Sequence, residues 1–209
     1  MFQDRAEAGR RLAEALAHLG REDAVVLAIP RGGVQVGAEV ARMWGWPLDI
    51  VIPRKVRAPG NQELGLVAVA PGVRVLDERM VRALRVSPEY LEKEIAVEEE
   101  EIRRRSEAYR AGRPPVDLQG KVAVVVDDGV ATGGTATAAV RWARAQGAAR
   151  VILAVPVAPA EALANLAKEA DEVVCLATPE PFYAVGQWYA SFPQIPDQEV
   201  VRMLREEGS

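Results

Sequence analysis

Short uninterrupted apolar runs alternate with segments of helical spacing along most of the chain. The clearest run is Val122–Val126, which contains no polar position. Runs of this kind are typical of strands buried on both faces, as in parallel sheets between layers of helices. The predicted core strands are Ala24–Ile29, Leu48–Ile52, Val122–Val126, Arg150–Val157 and Glu172–Leu176. The predicted helices of this part are Asp4–Leu19, Val34–Trp44, Ala136–Gln146 and Pro159–Ala170.

The alternation of strand and helix predicts an α/β fold, because successive βαβ units build a central parallel sheet flanked by helices. The length of 209 residues fits a single domain with a small cap or hood. We therefore expect one domain over residues 1–209.

The stretch 53–63 interrupts the alternation. It holds three cations, two prolines and a Pro-Gly-Asn turn signal, and this composition predicts a mobile basic loop in a long hairpin-like excursion. The chain then returns to apolar runs at Leu64–Val69 and Val73–Leu76, which predict strands, and Glu78–Arg85 predicts a short helix.

A helical insert is predicted over 87–111. Ser87 and Pro88 supply an N-cap and a first helical position, and the helix is expected to run to about Tyr109. Acids at Glu98–Glu101 precede bases at Arg103–Arg105 by about four residues. This spacing favours a solvent-exposed helix with ion pairs between its successive turns. An RNA-binding arm is the alternative for the Arg triplet. We expect the insert to form part of a cap or a dimer contact.

The tail over 178–209 differs in composition from the rest of the chain. It concentrates aromatic side chains in a chain that is only 5% aromatic, and Asp197 is placed to cap a last helix to about Glu206. Such a cluster either seals the edge of the domain or forms a lid over a planar ligand. We therefore expect an aromatic C-terminal cap.

Composition narrows the class of protein. The apolar fraction of 49% and the charged fraction of 27% are ordinary for a globular chain, and a formal net charge of −4 gives no electrostatic reason to expect nucleic acid. The single cysteine, Cys175, excludes an internal disulfide. The charged N-terminus predicts no signal peptide, and no apolar run approaches membrane-spanning length. A cytoplasmic location is expected.

Candidate chemistry concentrates directly after the strand Val122–Val126. Asp127 and Asp128 stand at its carboxyl end, where parallel sheets bind ligands, and the small-residue loop 129–135 leads into a helix. Adjacent carboxylates accept hydrogen bonds from paired hydroxyls, whereas a Gly- and Thr-rich helix N-terminus binds a phosphate monoester. Together these two groups match the chemistry of ribose 5-phosphate.

Three other interpretations of this stretch are weaker. The first is a strand followed by a flexible turn without a ligand. A Walker P-loop requires Gly-Lys-Ser/Thr, and no lysine follows Gly134. A dinucleotide-binding fingerprint requires G-x-G-x-x-G, and Gly129, Gly133 and Gly134 have a different spacing.

The motif VVVDDGVATGGT resembles the signature of the type I phosphoribosyltransferases. The resemblance implies the fold of that family and binding of phosphoribosyl pyrophosphate. It implies that Asp127 and Asp128 grip the ribose hydroxyls, directly or through Mg²⁺ that the substrate brings. The residues implied to hold the 5-phosphate are Ala131, Thr132, Gly133, Gly134 and Thr135.

The family also implies a role for two other segments. The loop after its first core strand binds pyrophosphate, and Arg31, Gly32 and Gly33 match that loop. The peptide bond there is often cis in the family, and Pro30–Arg31 is the matching bond. A mobile loop carries basic residues to the pyrophosphate, which makes Arg54 a binding candidate and Lys55 a catalytic candidate, with a purely solvated basic loop as the alternative.

The reaction implied is transfer of ribose 5-phosphate to a nitrogenous, nucleobase-like acceptor with release of pyrophosphate. The alternative is a regulatory protein of the same fold that senses phosphoribosyl pyrophosphate or nucleotides without catalysis. The expected partners are the donor and a small acceptor, without nucleic acid or membrane, and a homodimer is left open.

The acceptor is the least determined part of the prediction. Enzymes for 6-oxopurines carry an aspartate where this chain has Ala131, and the form ATGGT is closer to the adenine enzymes, which the rest of the chain does not resemble. A planar acceptor needs a stacking surface, and we expect it to be Phe182 or Tyr183, because both stand just beyond the last core strand.

Overall fold

A computed structural model describes residues 1–207, with the side chain of Gln62 excepted. Its centre is a five-stranded parallel sheet in the order β2-β1-β6-β7-β8. These strands are β1 (Ala24–Ala28), β2 (Leu48–Ile50), β6 (Val122–Val126), β7 (Arg150–Val157) and β8 (Glu172–Ala177). The five predicted core strands are therefore confirmed, with small differences at their ends.

Helices cover both faces of this sheet. The α-helices of the described residues are α1 (Arg5–Ala15), α2 (Gly32–Trp44), α3 (Glu78–Ala83), α4 (Pro88–Arg110), α5 (Gly134–Ala145), α6 (Ala160–Leu166) and α7 (Asp197–Glu207), and of these α3 and α4 pack on a second, smaller sheet. Alternate residues of one strand enter two different clusters: Val26 packs in the cluster of α1, α2 and α7, whereas Val25 packs in that of α5 and α6. Burial on both faces is the reason that the strands have no polar alternation.

The predicted loop conformation of 53–63 is wrong, whereas its hairpin-like course is confirmed. Arg54–Ala58 forms a strand, β3, which pairs antiparallel with β4 (Asn61–Ala70), and β5 (Val73–Leu76) completes a second sheet of three strands. The cause lies in the side chains, because Val56 and Ala58 are buried while Lys55 and Arg57, which alternate with them, are exposed. That alternation has the period of a strand.

The predicted helix of the insert is confirmed as α4. Its cap is also as expected, since the Ser87 hydroxyl accepts a hydrogen bond from the Tyr90 N–H. The helix packs on β3 and β4 and on α7. At its end, Arg110 donates to the buried Asp49 of β2, so a buried ion pair fastens the insert to the central sheet.

The tail follows an irregular course before its last helix. Between β8 and α7 the only helical turn of the described residues is a short 3₁₀ helix at Val185–Trp188. The last helix begins at Asp197 as predicted. Residues 208 and 209 of the expected cap lie outside the described residues.

The strand order creates a crevice at the carboxyl ends of β1 and β6. From β1 the chain continues through α2 to β2 on one side, and from β6 through α5 to β7 on the other. Loops that diverge from neighbouring parallel strands leave a gap, which is where sheets of this kind bind ligands. None of the helices in residues 1–207 is long and apolar enough to cross a membrane.

Candidate active site

The two acids after β6 are held by a cation from the first helix. Arg5 Nε donates to Asp128 Oδ2 over 2.7 Å, across a separation of 123 residues. Asp127 Oδ1 accepts the backbone N–H of Asp128 over 2.8 Å. The protein thus engages Oδ2 of Asp128 through Arg5 and Oδ1 of Asp127 through the backbone.

The environment of the acids opposes their ionisation. Burial, and then the neighbouring charge of Asp128, raise the pKa of Asp127 well above its ordinary value. Burial raises the pKa of Asp128 as well, although the Arg5 guanidinium opposes that rise. A cation or a hydroxyl donor that reaches this pair therefore relieves an unfavourable charge.

The predicted pyrophosphate loop lies directly against the acids. A Cβ atom placed on Gly32 would come within 1.8 Å of Asp128 Oδ2, and one on Gly33 would come within 2.9 Å of Asp127 Cα. Only glycine fits at these two positions, because any side chain would displace a carboxylate or the backbone. The structure thus joins two segments that are separated by almost one hundred residues in the sequence.

The peptide bond Pro30–Arg31 is cis, as the resemblance predicted. The side chain of Arg31 turns toward the start of α7, where its Nη1 lies 3.7 Å from Asp197 Oδ1. Asp197 also accepts a hydrogen bond of 2.6 Å from the hydroxyl of Tyr109 on α4. Arg31 is consequently shared between the crevice and the tail, and it remains partly exposed.

The predicted phosphate loop precedes helix α5. Gly133 has a φ of +90° and forms the N-cap, and no side chain of the described residues caps the first N–H groups of this helix. Ala131 and Thr132 are exposed, whereas Gly134 and Thr135 are half-buried. Uncapped N–H groups and the positive end of the helix dipole together make an anion-binding position beside the acids.

The two basic candidates of β3 lie on opposite faces of the second sheet. Lys55 stands opposite Ala68, so both share one face, and a Cβ placed on Gly134 would lie 3.8 Å from that of Ala68. Lys55 therefore projects from the face that meets the phosphate loop. Arg54 instead donates to Glu98 of α4 over 2.6 Å, which directs its guanidinium away from that loop.

The tail crosses the far side of the acids. A Cβ placed on Gly129 would lie 2.5 Å from Val185 Cγ1, and the Tyr189 hydroxyl donates to the carbonyl of Asp128 over 2.5 Å. Phe182 is half-buried beside Trp188, at a ring separation of 6.1 Å, whereas the side chain of Tyr183 is exposed. The two stacking candidates thus differ in environment, and only Phe182 belongs to the packed part of the tail.

A separate cavity of about 940 Å³ lies at the opposite end of α5. Trp142 and Gln146 line it together with α4 and the segment 112–118. Trp142 stands eight positions after the start of α5, which faces the acids, and this spacing corresponds to about 12 Å along the helix. This cavity is consequently not part of the crevice.

Comparison with known proteins identifies the family. The family model described as "Phosphoribosyl transferase domain" matches residues 2–187, which include the glycine loop, the acids and the phosphate loop. The chain belongs to the phosphoribosyltransferase family. Two curated relatives of the family, from the H37Rv and CDC 1551 strains of Mycobacterium tuberculosis, bear the name "Putative phosphoribosyl transferase". Each is 48% identical over 208 residues, which is 98% of this chain but 46% of the relative, so the chain spans about half their length.

Solved structures agree with the family at the level of the fold. A protein of Thermus thermophilus, TT1426, is 46% identical, with a TM-score of 0.85 and complete coverage of both chains. The purine phosphoribosyltransferase of Pyrococcus horikoshii is 18% identical, with a TM-score of 0.50 over 90% of each chain. The second likeness shows the fold alone.

Two residues of this phosphoribosyltransferase-like crevice were missed from the sequence. Arg5 lies on the apolar stripe of α1, three positions before Ala8 and seven before Leu12, and a cation on a buried stripe signals a buried partner. Tyr189 was noticed only as part of the aromatic cluster. No pattern in the sequence indicated that its hydroxyl reaches Asp128.

Proposed function

We propose that this protein transfers ribose 5-phosphate from phosphoribosyl pyrophosphate to a nitrogenous acceptor and releases pyrophosphate. The observation that carries the proposal is the direct contact between the loop of Gly32 and Gly33 and the carboxylates of Asp127 and Asp128, beside the uncapped N-terminus of α5. Membership of the phosphoribosyltransferase family supports it.

The three parts of the crevice fit the three parts of the donor. The acids accept hydrogen bonds from the paired ribose hydroxyls. The N–H groups at the start of α5 and the hydroxyls of Thr132 and Thr135 hold the 5-phosphate. The loop 31–33 allows close approach of the pyrophosphate to the backbone, and Arg31 supplies a cation at its edge.

The reaction exchanges one bond at C1 of the ribose for another. The bond from C1 to the pyrophosphate oxygen breaks, the acceptor nitrogen donates its electron pair to C1, and pyrophosphate leaves with the bonding electrons. Positive charge develops at C1 during this exchange, while negative charge grows on the leaving group. Fixed donors and cations around the pyrophosphate therefore lower the barrier more than they strengthen ground-state binding.

The acids also fit Mg²⁺ held jointly with the substrate. Protein sites for this ion commonly offer one or two carboxylates and leave the remaining positions to phosphates and water. Asp127 and Asp128 are hard oxygen ligands of that kind, and each keeps one oxygen outside the contacts with Arg5 and the backbone. When bound, the ion would neutralise charge on the pyrophosphate.

The proposal is tested by pyrophosphate release from phosphoribosyl pyrophosphate, screened with Mg²⁺ against a panel of nucleobases and small amines. Release that depends on one acceptor is the expected result. Donor binding without release with any acceptor would instead make the chain a non-catalytic sensor of the same fold.

The acids are tested by calorimetric titration of the donor into a variant with Asp127→Asn and Asp128→Asn. We expect donor binding to be nearly lost while the folded structure remains. A matched control is the variant with Glu100→Gln and Glu107→Gln, which removes the same charge from the exposed face of α4. Equal affinity in the acid variant and its control would exclude the acids from the site.

A further inference from the structure

We propose that Arg5 is a positioning residue of the crevice, which fixes the carboxylate of Asp128 in one orientation and compensates its charge. This inference rests on the proposed function, and it adds to the two acids of the motif a cation that sets the orientation of one of them. It concerns a residue outside the motif, on the first helix of the chain.

The guanidinium of Arg5 is fixed on three sides. Its Nε lies 2.7 Å from Asp128 Oδ2, its Nη1 donates over 2.7 Å to the carbonyl of Pro193, and its Cζ lies 3.7 Å above the ring of Phe192. The residue is only 6% exposed. A planar guanidinium with three fixed contacts holds the carboxylate of Asp128 in one orientation. The flexible side chain of a lysine would hold it less well.

The contact also fixes which oxygen of Asp128 is available. Oδ2 lies between Arg5 and the Gly32 loop, because a Cβ on that glycine would come within 1.8 Å of Oδ2 and 2.8 Å of Arg5 Nε. Oδ2 is therefore enclosed by protein. Asp127 lies against the same loop at Gly33 through its Cα and its Oδ1, and it has no cation within hydrogen-bond distance among the described residues.

Charge compensation follows from the same geometry. Two ionised acids would present two negative charges to a donor that is itself a polyanion, and Arg5 reduces this formal charge to one. In a half-buried crevice such charges are weakly screened. Without Arg5, donor binding should require more Mg²⁺, because another cation must then offset the charge of Asp128.

A purely structural role is the competing explanation. Arg5 links the first helix to the tail at Pro193, so its loss could weaken binding only by loosening the fold. The two explanations differ in two measurable ways. Loosening has no reason to depend on the concentration of Mg²⁺, and it has no reason to vanish when Asp128 is already neutral.

The experiment is calorimetric titration of phosphoribosyl pyrophosphate into the parent, Arg5→Gln and Arg5→Lys at low and at saturating Mg²⁺. We expect Arg5→Gln to raise the dissociation constant about tenfold at low Mg²⁺ and about threefold at saturation, as for a lost charge-assisted hydrogen bond. Arg5→Lys should lie between parent and Arg5→Gln. Against an Asp128→Asn background, Arg5→Gln should have little further effect.

The matched control is Arg11→Gln, on the same helix. Arg11 lies over the ring of Phe2 at 4.8 Å and pairs with Glu7, but it does not contact the acids. Its replacement should leave donor affinity and Mg²⁺ dependence unchanged. If Arg5→Gln does not fold, Arg5→Met takes its place in the titration. If Arg5→Met does not fold either, the affinity of Arg5→Lys is the test. Parental donor affinity in Arg5→Lys would refute the positioning role of Arg5.

The outcomes separate this inference from the function on which it rests. If the parent does not bind the donor at all, the proposed function fails. If the parent binds and Arg5→Gln binds equally well, or loses affinity by the same factor at both Mg²⁺ concentrations and in the Asp128→Asn background, only the role of Arg5 is overturned.

Discussion

The hydroxyl of Tyr189 donates a hydrogen bond of 2.5 Å to the backbone carbonyl of Asp128, which stands 61 residues earlier in the chain. Tyr189 is buried, and its ring lies 5.4 Å from that of Phe2 and 4.9 Å from that of Phe192. Burial, and then the charge of Asp128, raise the pKa of the phenol, so it remains a donor. The tail thus holds the acid loop through its backbone, while Arg5 holds the same residue through its side chain.

Tyr189→Phe tests this support of the acid loop. The variant keeps the ring contacts and removes only the donor, which leaves a partly buried carbonyl without its partner. We expect a loss of stability of about 1–2 kcal/mol, or a fall in melting temperature of roughly 2–8 °C for a chain of this size. The measurement is a calorimetric melt.

The control for that prediction is Tyr183→Phe, since the side chain of Tyr183 is 80% exposed. It should melt with the parent. Equal melting temperatures for Tyr189→Phe and Tyr183→Phe would show that the hydrogen bond to Asp128 contributes nothing to stability.

The ion pair between Arg110 and Asp49 leads to a second prediction. Asp49 Oδ1 accepts from Arg110 Nε over 2.9 Å, and Oδ2 accepts the N–H of Val116 over 2.9 Å. Asp49→Ala would leave the Val116 N–H without its acceptor and Arg110 with only its bond to the Ile50 carbonyl, at a cost of about 3 kcal/mol. We expect denaturant titration to show this loss, with donor affinity reduced far less because the pair lies away from the acids.

An exposed pair on the same helix provides the comparison. Arg103 pairs with Glu100 on the solvent face of α4, where water screens the attraction. Arg103→Ala should unfold at nearly the parental denaturant concentration. A similar midpoint for Asp49→Ala would mean that the insert is not fastened to the sheet by Asp49.

The central sheet could be predicted from the sequence because its strands are buried on both faces. Val122–Val126 contains no polar residue, which is typical of a strand buried on both faces. The acids after it mark the carboxyl end of the strand. The loops 31–33 and 129–135 could be singled out for the same reason, since both follow such a strand. Local pattern and burial agree at these places.

The parts that could not be predicted depend on contacts between distant segments. In Arg54–Ala58 the buried apolar residues alternate with basic residues over only five positions, which is too short a pattern to indicate a strand. The segment becomes a strand because it pairs with β4. The partnership of Arg5 with Asp128 requires α1 to pack beside the end of β6, which no local pattern specifies. The path of the tail likewise depends on distant contacts, because Tyr189 packs with Phe2 and Val185 packs against Gly129.

The raised pKa of Asp127 predicts a pH dependence of stability. Above an ordinary aspartate pKa of about 4, the unfolded chain loses this proton while the folded protein retains it. Stability therefore falls as the pH rises toward the folded pKa, and the stabilisation is complete only below the unfolded pKa. Asp127→Asn removes the ionisable group, so its melting temperature should fall less than that of the parent over this range.

The measurement is a series of melts between about pH 4 and about pH 8 with a chelator and without donor. Asp127→Asn should also be more stable than the parent near neutral pH, because ionisation of Asp127 in the unfolded parent favours unfolding and asparagine cannot ionise. Exposed Asp117, replaced by asparagine, is the control and should follow the parent. Parallel curves for Asp127→Asn and the parent would contradict a raised pKa.

The last prediction concerns Lys55, which the second sheet presents on the face of Ala68 beside the phosphate loop. If its ammonium contacts the pyrophosphate as charge grows on that group, Lys55→Ala should lower turnover more than donor affinity. We expect kcat to fall at least tenfold while the dissociation constant of the donor changes about threefold or less. Lys93→Ala, which removes an exposed lysine from α4, should retain both values. A loss confined to donor affinity would mean that Lys55 binds the donor equally in ground state and transition state, and no loss at all would make it a solvated residue of the sheet.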